Sequence, residues 1–510
     1  VVTGNIGPVQ RRAITVAVML ATVIHTLDST IANVALPRMQ GALGASQEQI
    51  AWVLTAYIVA SAIGMPLTGW LAARFGRKRL FIASVIAFTA ASMLCGAAQT
   101  LEQMVLFRAL QGGAGAFLVP LAQSVLLDTW PRERHAAAMA AWGIGVMVGP
   151  ILGPTLGGWL TEYYSWRWVF YINLPVGVLA TTLMLAAMPE TPTERDRRFD
   201  ALGFALLAVG LAALQLMLDR GESLGWFDSP EIVIEAWIAA LALYLFIAHT
   251  LTCRAPFLEP ALFGDRNFVV GLFAGFAIGI VLLATMTLLP PFLGTLMGYP
   301  VVDIGLVLAP RGLGTMLGML AVGRIGDRID PRLLIAVGLL LTAGSLHWMT
   351  GFDTDVRAST VAWSGVVQGI GIGLVFPPLT AVAFASLGPR LRNEGTALFS
   401  LVRNLGSSIG ISIVVTALSR NSRSNEAALG ATVEPSSLAL QWAQQAGVWR
   451  IDTVEGLTAL HAEIVRQATT IAYLQDFRLM AWVSIATLPL LLLLRRPEAR
   501  PQPPRDGAVR

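Results

Sequence analysis

The chain has 510 residues, of which 55% are hydrophobic and only 13% charged, and its mean hydropathy is +0.66. An ordinary soluble domain carries about 25% charged residues, so the composition excludes one and indicates an all-α polytopic membrane protein. The net charge of +4 comes from arginines scattered through short loops, which argues against a nucleic-acid partner, and the two cysteines fall in different predicted helices, which argues against a disulfide framework.

Apolar runs long enough to cross a bilayer, about 20 residues, recur about fourteen times: near 14–36, 50–72, 79–98, 101–126, 136–160, 167–188, 201–218, 232–251, 267–290, 302–323, 332–350, 358–385, 395–418 and 477–494. No cleavable signal is expected, since the first run continues directly into functional-looking sequence. That run contains VIHTLDSTIANVALP (23–37), in which Asp28 is the first charge after Arg12. A carboxylate at the centre of a membrane helix costs roughly 2.5–3.5 kcal/mol on the lenient insertion scale, so Asp28 is expected either to exchange protons or to pair with an arginine for packing alone. His25, three residues earlier, shares its helix face; it either tunes the carboxylate or is a satisfied polar group on a cavity wall. Asn33 is a cavity candidate, although helix packing or water binding is the plainer reading of it.

The second run carries Trp52 and Tyr57 and ends in GWLAARFGRKR (69–79), with Gly69, Arg74, Gly76 and Arg77. In the fourth run, LFRALQGGAGAFLVP, Arg108 cannot lose its proton at ordinary pH and needs a negative partner or carbonyls when buried. Asp28 and Arg108 are both expected to face a central cavity, with Gln111, Phe117 and Gln123 nearby. The fifth run spaces Gly149, Pro150, Gly153, Pro154, Gly157 and Gly158 along the helix. Proline can bend a helix and glycine permits close approach, so the series reads as a pliable seam against the other half, or as tight packing without motion.

Two spans near 201–251 separate the halves. Beyond them, Phe292 and Phe376 join Trp52, Tyr57, Met65 and Phe117 as candidates for a greasy, adaptable substrate wall. Arg311 and Arg403 either line the second half of the cavity or bind carbonyls near helix ends. The polar stretch 419–476 reads as a solvated, partly helical loop or as a docking surface. Basic residues in the short loops concentrate on one side, which places both termini in the cytoplasm.

The second half echoes the first. GWLAARFGRKR (69–79) matches GRIGDRIDPR (323–332), bringing in Gly323, Asp327 and Arg328. QGGAGAFLVP (111–120) matches QGIGIGLVFP (368–377), and VGPILG (148–153) matches LGSSIG (405–410). Aligning Pro37 with Pro291 sets Asp28 over Leu282, and Arg108 falls over Gly365, so neither charge has a counterpart. The expected organisation is an N-terminal six-helix half (1–190), two extra helices with linkers (191–264), a C-terminal six-helix half (265–496) and a cytoplasmic tail (497–510). A binding cavity is expected between the halves near the membrane midplane.

These motifs carry a resemblance. GWLAARFGRKR resembles the loop signature between the second and third helices of the major facilitator superfamily. LFRALQGGAGAFLVP is similar to its fourth-helix motif, and GIGVMVGPILGPTLGGWL to its fifth-helix antiporter motif. LDSTIANVALP resembles the first-helix motif of the fourteen-span drug:proton antiporter branch. With RWVFYINLPVGV (167–178) and the extra span pair, the whole chain resembles the EmrB/QacA group, and its EmrB type more closely. The resemblance implies a major facilitator fold, alternating access, and proton-driven export of hydrophobic or amphipathic compounds from the inner membrane. Asp28, Arg108 and His25 would then couple the proton, the only cofactor implied. A periplasmic adaptor (EmrA-like) and an outer-membrane channel are the partners implied, contacted through 419–476. One departure stands out: the loop motif's usual acidic residue is Ala73 here, so a charge latch between the halves is expected to be weakened at the first copy and kept at Asp327.

Other classes fit poorly. Lys78 is the only lysine, and Arg79 follows it, so no phosphate loop exists for an ATP-driven pump. The five histidines are dispersed without an HExxH, which argues against a metalloenzyme. The readings left open are a narrow exporter of one metabolite or fatty acid, a proton-coupled permease and, remotely, a lipid-modifying enzyme.

Overall fold

The computed structural model describes residues 7–191, 193–194, 198–326, 328–433, 441–442 and 453–495. Asp327 lies outside them. The described residues form helices and no strand, as a bilayer demands of any chain that must satisfy its backbone internally. Thirteen helices are long and apolar enough to span a membrane, or fourteen when one bent pair counts as a single span. This is a multi-pass membrane protein.

The helices in chain order are α1 (Pro8–Leu43), α2 (Gln47–Gly64), α3 (Leu67–Phe75), α4 (Arg77–Ala97), α5 (Leu101–Gly115), α6 (Leu118–Thr129), α7 (His135–Tyr163), α8 (Trp168–Tyr171) and α9 (Asn173–Ala187). There follow α10 (Ala201–Arg220), α11 (Pro230–Thr252), α12 (Arg266–Pro291), α13 (Val301–Ile325), α14 (Pro331–Met349), α15 (Ala358–Ala385), α16 (Pro389–Thr432) and α17 (Val454–Ala486). The predicted second span is the bent pair α2 and α3, broken by 58°. Pro66 sits at the break, where it has no N–H to continue the ladder. The last two predicted spans are longer than expected. With 44 residues, α16 extends roughly 66 Å at 1.5 Å per residue, twice a hydrocarbon core, and α17 begins at Val454 rather than near 477. Much of 419–476 is therefore two helical extensions, tied where Asn425 Nδ2 donates to the Ala468 carbonyl at 3.2 Å.

Packing follows the repeat. Four pairings recur in both bundles: α1 with α7, α2 with α5, α4 with α5 and α4 with α9 in the first correspond to α12 with α16, α13 with α15, α14 with α15 and α14 with α17 in the second, while α1 also packs on α9 and α16 on α17. Close contacts refine the alignment. Gly149 meets Thr26 and Gly153 meets Thr30, while Gly406 meets Phe276 and Gly410 meets Ile280. Asp28 therefore corresponds to Ile278, one helical turn before the Leu282 expected from the prolines. Its counterpart is still apolar.

The pair α10 and α11 packs beside both bundles: Asp219 accepts from the Thr55 hydroxyl of α2, and Gln215 Nε2 donates to Ser408 Oγ of α16 at 3.0 Å. One face of the molecule gathers the chain ends. There Gln10 Nε2 donates to the Ala187 carbonyl at 2.9 Å, and Asn267 pairs with the Arg495 backbone. It is called the terminal face below.

Candidate functional site

Asp28 lies in the middle of α1 and is fully buried. Opposite it, α5 presents Arg108 and Gln111 three residues apart on one face. The short turn of α8 resets the chain so that α9 begins at Asn173, aimed at the same point. Arg108 Nη1 donates to Asp28 Oδ2 at 2.6 Å and to Gln111 Oε1 at 2.8 Å. Asp28 Oδ1 accepts from Gln111 Nε2 at 2.8 Å and from Asn173 Nδ2 at 3.2 Å. Arg108 Nε reaches the Val53 carbonyl at 3.2 Å, and the guanidinium lies over the Tyr57 ring at 4.2 Å. A charge in oil persists only when its hydrogen-bonding groups are met, and this cluster gives donors to both Asp28 oxygens and acceptors to Nε and Nη1 of Arg108. Asn173 also donates to Ser92 Oγ at 2.9 Å.

The expectation that Asp28 and Arg108 face the cavity needs correction. They touch each other directly and sit inside the first bundle behind Tyr57, because that is where acceptors and donors converge. Tyr57 and Gln111, expected on the substrate wall, belong to this cluster instead. His25 makes no hydrogen bond to Asp28 among the described residues; its Nδ1 is 3.0 Å from the Tyr57 hydroxyl, so it joins the cluster through Tyr57 and Arg108.

The other wall candidates divide. Phe376 stacks on Trp142 of α7 at 5.8 Å, and the Arg403 guanidinium lies 5.4 Å from the Phe376 ring, so these three meet between the bundles. Gln123, buried on α6, accepts from Ser400 Oγ of α16 at 3.5 Å. Arg311 is buried and donates to the Leu282 carbonyl at 3.2 Å. Phe117 is half-buried and Asn33 exposed. Trp52 is exposed on α2 beneath Arg220, at 5.3 Å, and so faces the extra helices rather than the cavity. Phe292 is likewise off the wall, buried among Phe352, Tyr473 and Phe477 in the core of the second bundle.

The sequence profile of the Major Facilitator Superfamily matches residues 18–411. The chain is 38% identical over 424 residues to the multidrug export protein EmrB of Escherichia coli K12, covering 82% of this chain and 83% of that protein. It is 36% identical over 488 residues to the fatty acid resistance protein FarB of Neisseria gonorrhoeae, covering 95% and 96%. The chain belongs to the major facilitator superfamily. Its fold resembles that of the human organic anion transporter MFSD10 (TETRAN), with a TM-score of 0.57 at 13% identity, covering 94% of this chain and all of that one.

In this facilitator the terminal face is closed by contacts between the bundles. Asp128 at the end of α6 pairs with both Arg77 of α4 and Arg392 of α16. Ser124 donates to Asn393 Oδ1, and a Cβ on Gly69 would stand 2.4 Å from Glu394 Cγ. Asp128 carries the latch that Ala73 cannot. Gly76 starts α4 at φ +87°, a conformation that suits glycine. Arg74 is half-buried, and Arg328 is exposed. On the second copy, Gly323 faces Ala140 of α7, 3.9 Å from where its Cβ would stand.

The α7 glycines correct a second expectation. Gly149, Gly153 and Gly157 pack against Thr26, Thr30 and Ile31 of α1, inside their own bundle, and nothing lies within 4 Å of a Cβ on Gly158. Pro150 and Pro154 lie within the same continuous helix. Toward the second bundle α7 instead uses Gly143 against Met319, and Ile151 against Gly312.

Sequence reasoning missed Asn173, although it is a lone polar residue in the quoted RWVFYINLPVGV. It also missed Asp128, which reads as a loop residue at a span end, and Asp476, assigned to the polar segment. Asp476 lies in α17, 1% exposed, with no donor on either carboxylate oxygen among the described residues. One group of ligand-type atoms, from Asp200, His249 and Cys253, falls within 4.8 Å. Asp200 is already engaged there by the Gly203 and Phe257 amides and by His249.

Proposed function

We propose that this protein exports hydrophobic and amphipathic compounds in exchange for protons, by alternating access, as a multidrug efflux transporter. The observation that carries this reading is the Asp28–Arg108 pair, buried in one bundle and absent from its repeat. A packing device needed by both halves would recur; a coupling site need occur only once. Protonating Asp28 removes the charge that Arg108 answers, so the guanidinium is released toward Tyr57, Gln111 and Val53 and the cluster rearranges. Since Asp28 is sealed in this conformation, proton exchange belongs to a second state in which that rearrangement opens a path past Tyr57 and His25.

One charge moving down 100 mV yields roughly 2.3 kcal/mol. At 1.36 kcal/mol per tenfold, this sustains a concentration ratio of about fiftyfold. The relatives named for multidrug export support the substrate class.

The division into 1–190, 191–264 and 265–496 serves this mechanism as two rocking halves and an inserted pair. The protein would sit in the plasma (inner) membrane, and the basic short loops support placing both termini, and hence the terminal face, in the cytoplasm. Helices α16 and α17 project from the opposite face, where a periplasmic adaptor leading to an outer-membrane channel would dock.

The test is export from proteoliposomes driven by an imposed pH gradient. Wild type accumulates a neutral fluorescent amphipath, N-phenyl-1-naphthylamine, and Asp28→Asn falls to the background of empty liposomes; export by the variant at the wild-type rate would overturn the coupling assignment. A narrow fatty-acid exporter is the second reading, favoured by the similarity to a fatty acid resistance protein over 95% of the chain. Competition among unrelated substrates decides between them.

A further inference from the structure

The second bundle repeats the architecture of the Asp28 cluster with its charges rearranged. A Cβ on Gly112 would stand 2.2 Å from the Tyr57 carbonyl oxygen, and one on Gly369 would stand 2.1 Å from that of Arg311. This shared contact makes Arg311 the counterpart of Tyr57 and Gln368 that of Gln111. In the first bundle the guanidinium comes from α5; in the second that position is Gly365, whose bare face leaves room for Arg311 from α13, with the two Cβ positions 3.3 Å apart. So each bundle holds one buried guanidinium at the same level.

Their partners differ. Arg108 has a carboxylate, but the corresponding place on α12 is Ile278. Arg311, 6% exposed, has one side-chain hydrogen bond, to the Leu282 carbonyl, and makes no ion pair among the described residues. Gln368 beside it donates to Thr285 Oγ1 at 3.3 Å. A second guanidinium, Arg403, lies over Phe376 without ion pair or side-chain hydrogen bond among the described residues. Arg403 packs its backbone carbonyl against Gly279, one turn from Leu282. Two guanidinium groups of the second bundle thus have no carboxylate partner among the described residues: Arg311 reaches the α12 backbone at Leu282, and Arg403 lies over Phe376 of the Phe376–Trp142 stack. Burying a cation without a counter-charge is costly, and a guanidinium is shaped to grip planar or tetrahedral oxyanions.

We propose that Arg311 and Arg403 receive a negatively charged group on the exported compound, with its apolar body against Phe376 and Trp142, so that amphipathic organic anions are the preferred substrates. This rests on the export reading above and assigns it a substrate class. The exported anion supplies in the second bundle the charge that Asp28 supplies in the first.

Two dyes sharing one ring system test it: 8-anilinonaphthalene-1-sulfonate carries a sulfonate, and N-phenyl-1-naphthylamine lacks it. Binding of each is measured by fluorescence on the full-length protein in phosphatidylcholine nanodiscs, less the signal of empty discs. Wild type is expected to prefer the sulfonate at least tenfold. In Arg311→Gln and Arg403→Gln the ratio of sulfonate to neutral affinity falls at least tenfold, and Arg403→Lys, which keeps the charge, restores most of it. Residual binding of the neutral dye reports that each variant is folded. Equal preference in wild type, or a ratio unmoved by both glutamine variants, overturns the proposal. Export of the neutral dye by wild type, and its loss in Asp28→Asn, is scored separately, so the anion site can fail while the efflux reading stands, or the reverse.

Discussion

Two buried acids in this protein sit in opposite circumstances. Asp28 has three side-chain donors around its two oxygens, and Asp476 has none among the described residues. Removing one member of a buried ion pair strands the other charge at a cost of about 3–5 kcal/mol, whereas replacing both by apolar groups is often neutral. Thermal melting should therefore show Asp28→Leu and Arg108→Leu each strongly destabilised and the double variant largely restored, while proton-driven export is lost in all three. A double variant as unstable as the sum of the singles would show that the two side chains act independently. For Asp476 the sign reverses. A buried polar group left without a partner costs about 1–3 kcal/mol, so Asp476→Leu should melt higher than wild type. A lower melting temperature would reveal a partner for its carboxylate in the folded protein.

At the scale of helices, the α7 glycines set how closely α7 and α1 approach. A Cβ on Gly149 would stand 2.4 Å from the Thr26 carbonyl carbon, which is backbone and cannot move aside. Gly149→Val should therefore force the helices apart and lower both folded yield and melting temperature. Gly158→Ala meets nothing within 4 Å and should stabilise by about 0.5–1 kcal/mol from helix propensity alone. Equal melting temperatures for the two variants would count against this packing. The spans themselves were legible in the sequence, because the bilayer's length requirement writes each as an apolar run and glycine spacing marks a close-packed face. Which helix meets that face is set by the whole bundle's geometry, so the partner was misassigned to the other half. The same limit governed the site. Asp28 and Arg108 announce themselves as charges in oil, but Asn173 is neutral and costs little to place, and Trp52 and Phe292 carry no signal separating wall from core. Helix ends fared worst: α16 and α17 run past the membrane in polar sequence, where no hydropathy marks them.

For the molecule as a whole, closure of the terminal face rests on few groups, and the extra helices oppose free rocking elsewhere. Asp128 pairs with Arg77 from its own bundle and with Arg392 from the other, so it is positioned by the first while it holds the second. Away from the terminal face, α10 and the turn after it reach both bundles through Thr55, Ser408 and Thr416. A latch of partly buried charges contributes on the order of 1 kcal/mol, and that much changes the ratio of two states about fivefold. Arg392→Gln removes the contact between bundles and leaves Arg77 on Asp128. It should therefore open the terminal face more often without unfolding either bundle. Thr396, fully buried on α16 three residues beyond Asn393, provides the reporter as Thr396→Cys. Its labelling by a membrane-impermeant maleimide at the terminal face should run about fivefold faster when Arg392→Gln is added, and Arg392→Lys should return most of the protection. Labelling that is unchanged by Arg392→Gln would mean that α3 against Glu394 and Ser124 against Asn393 suffice to hold the halves together, and that Asp128 serves its own bundle alone.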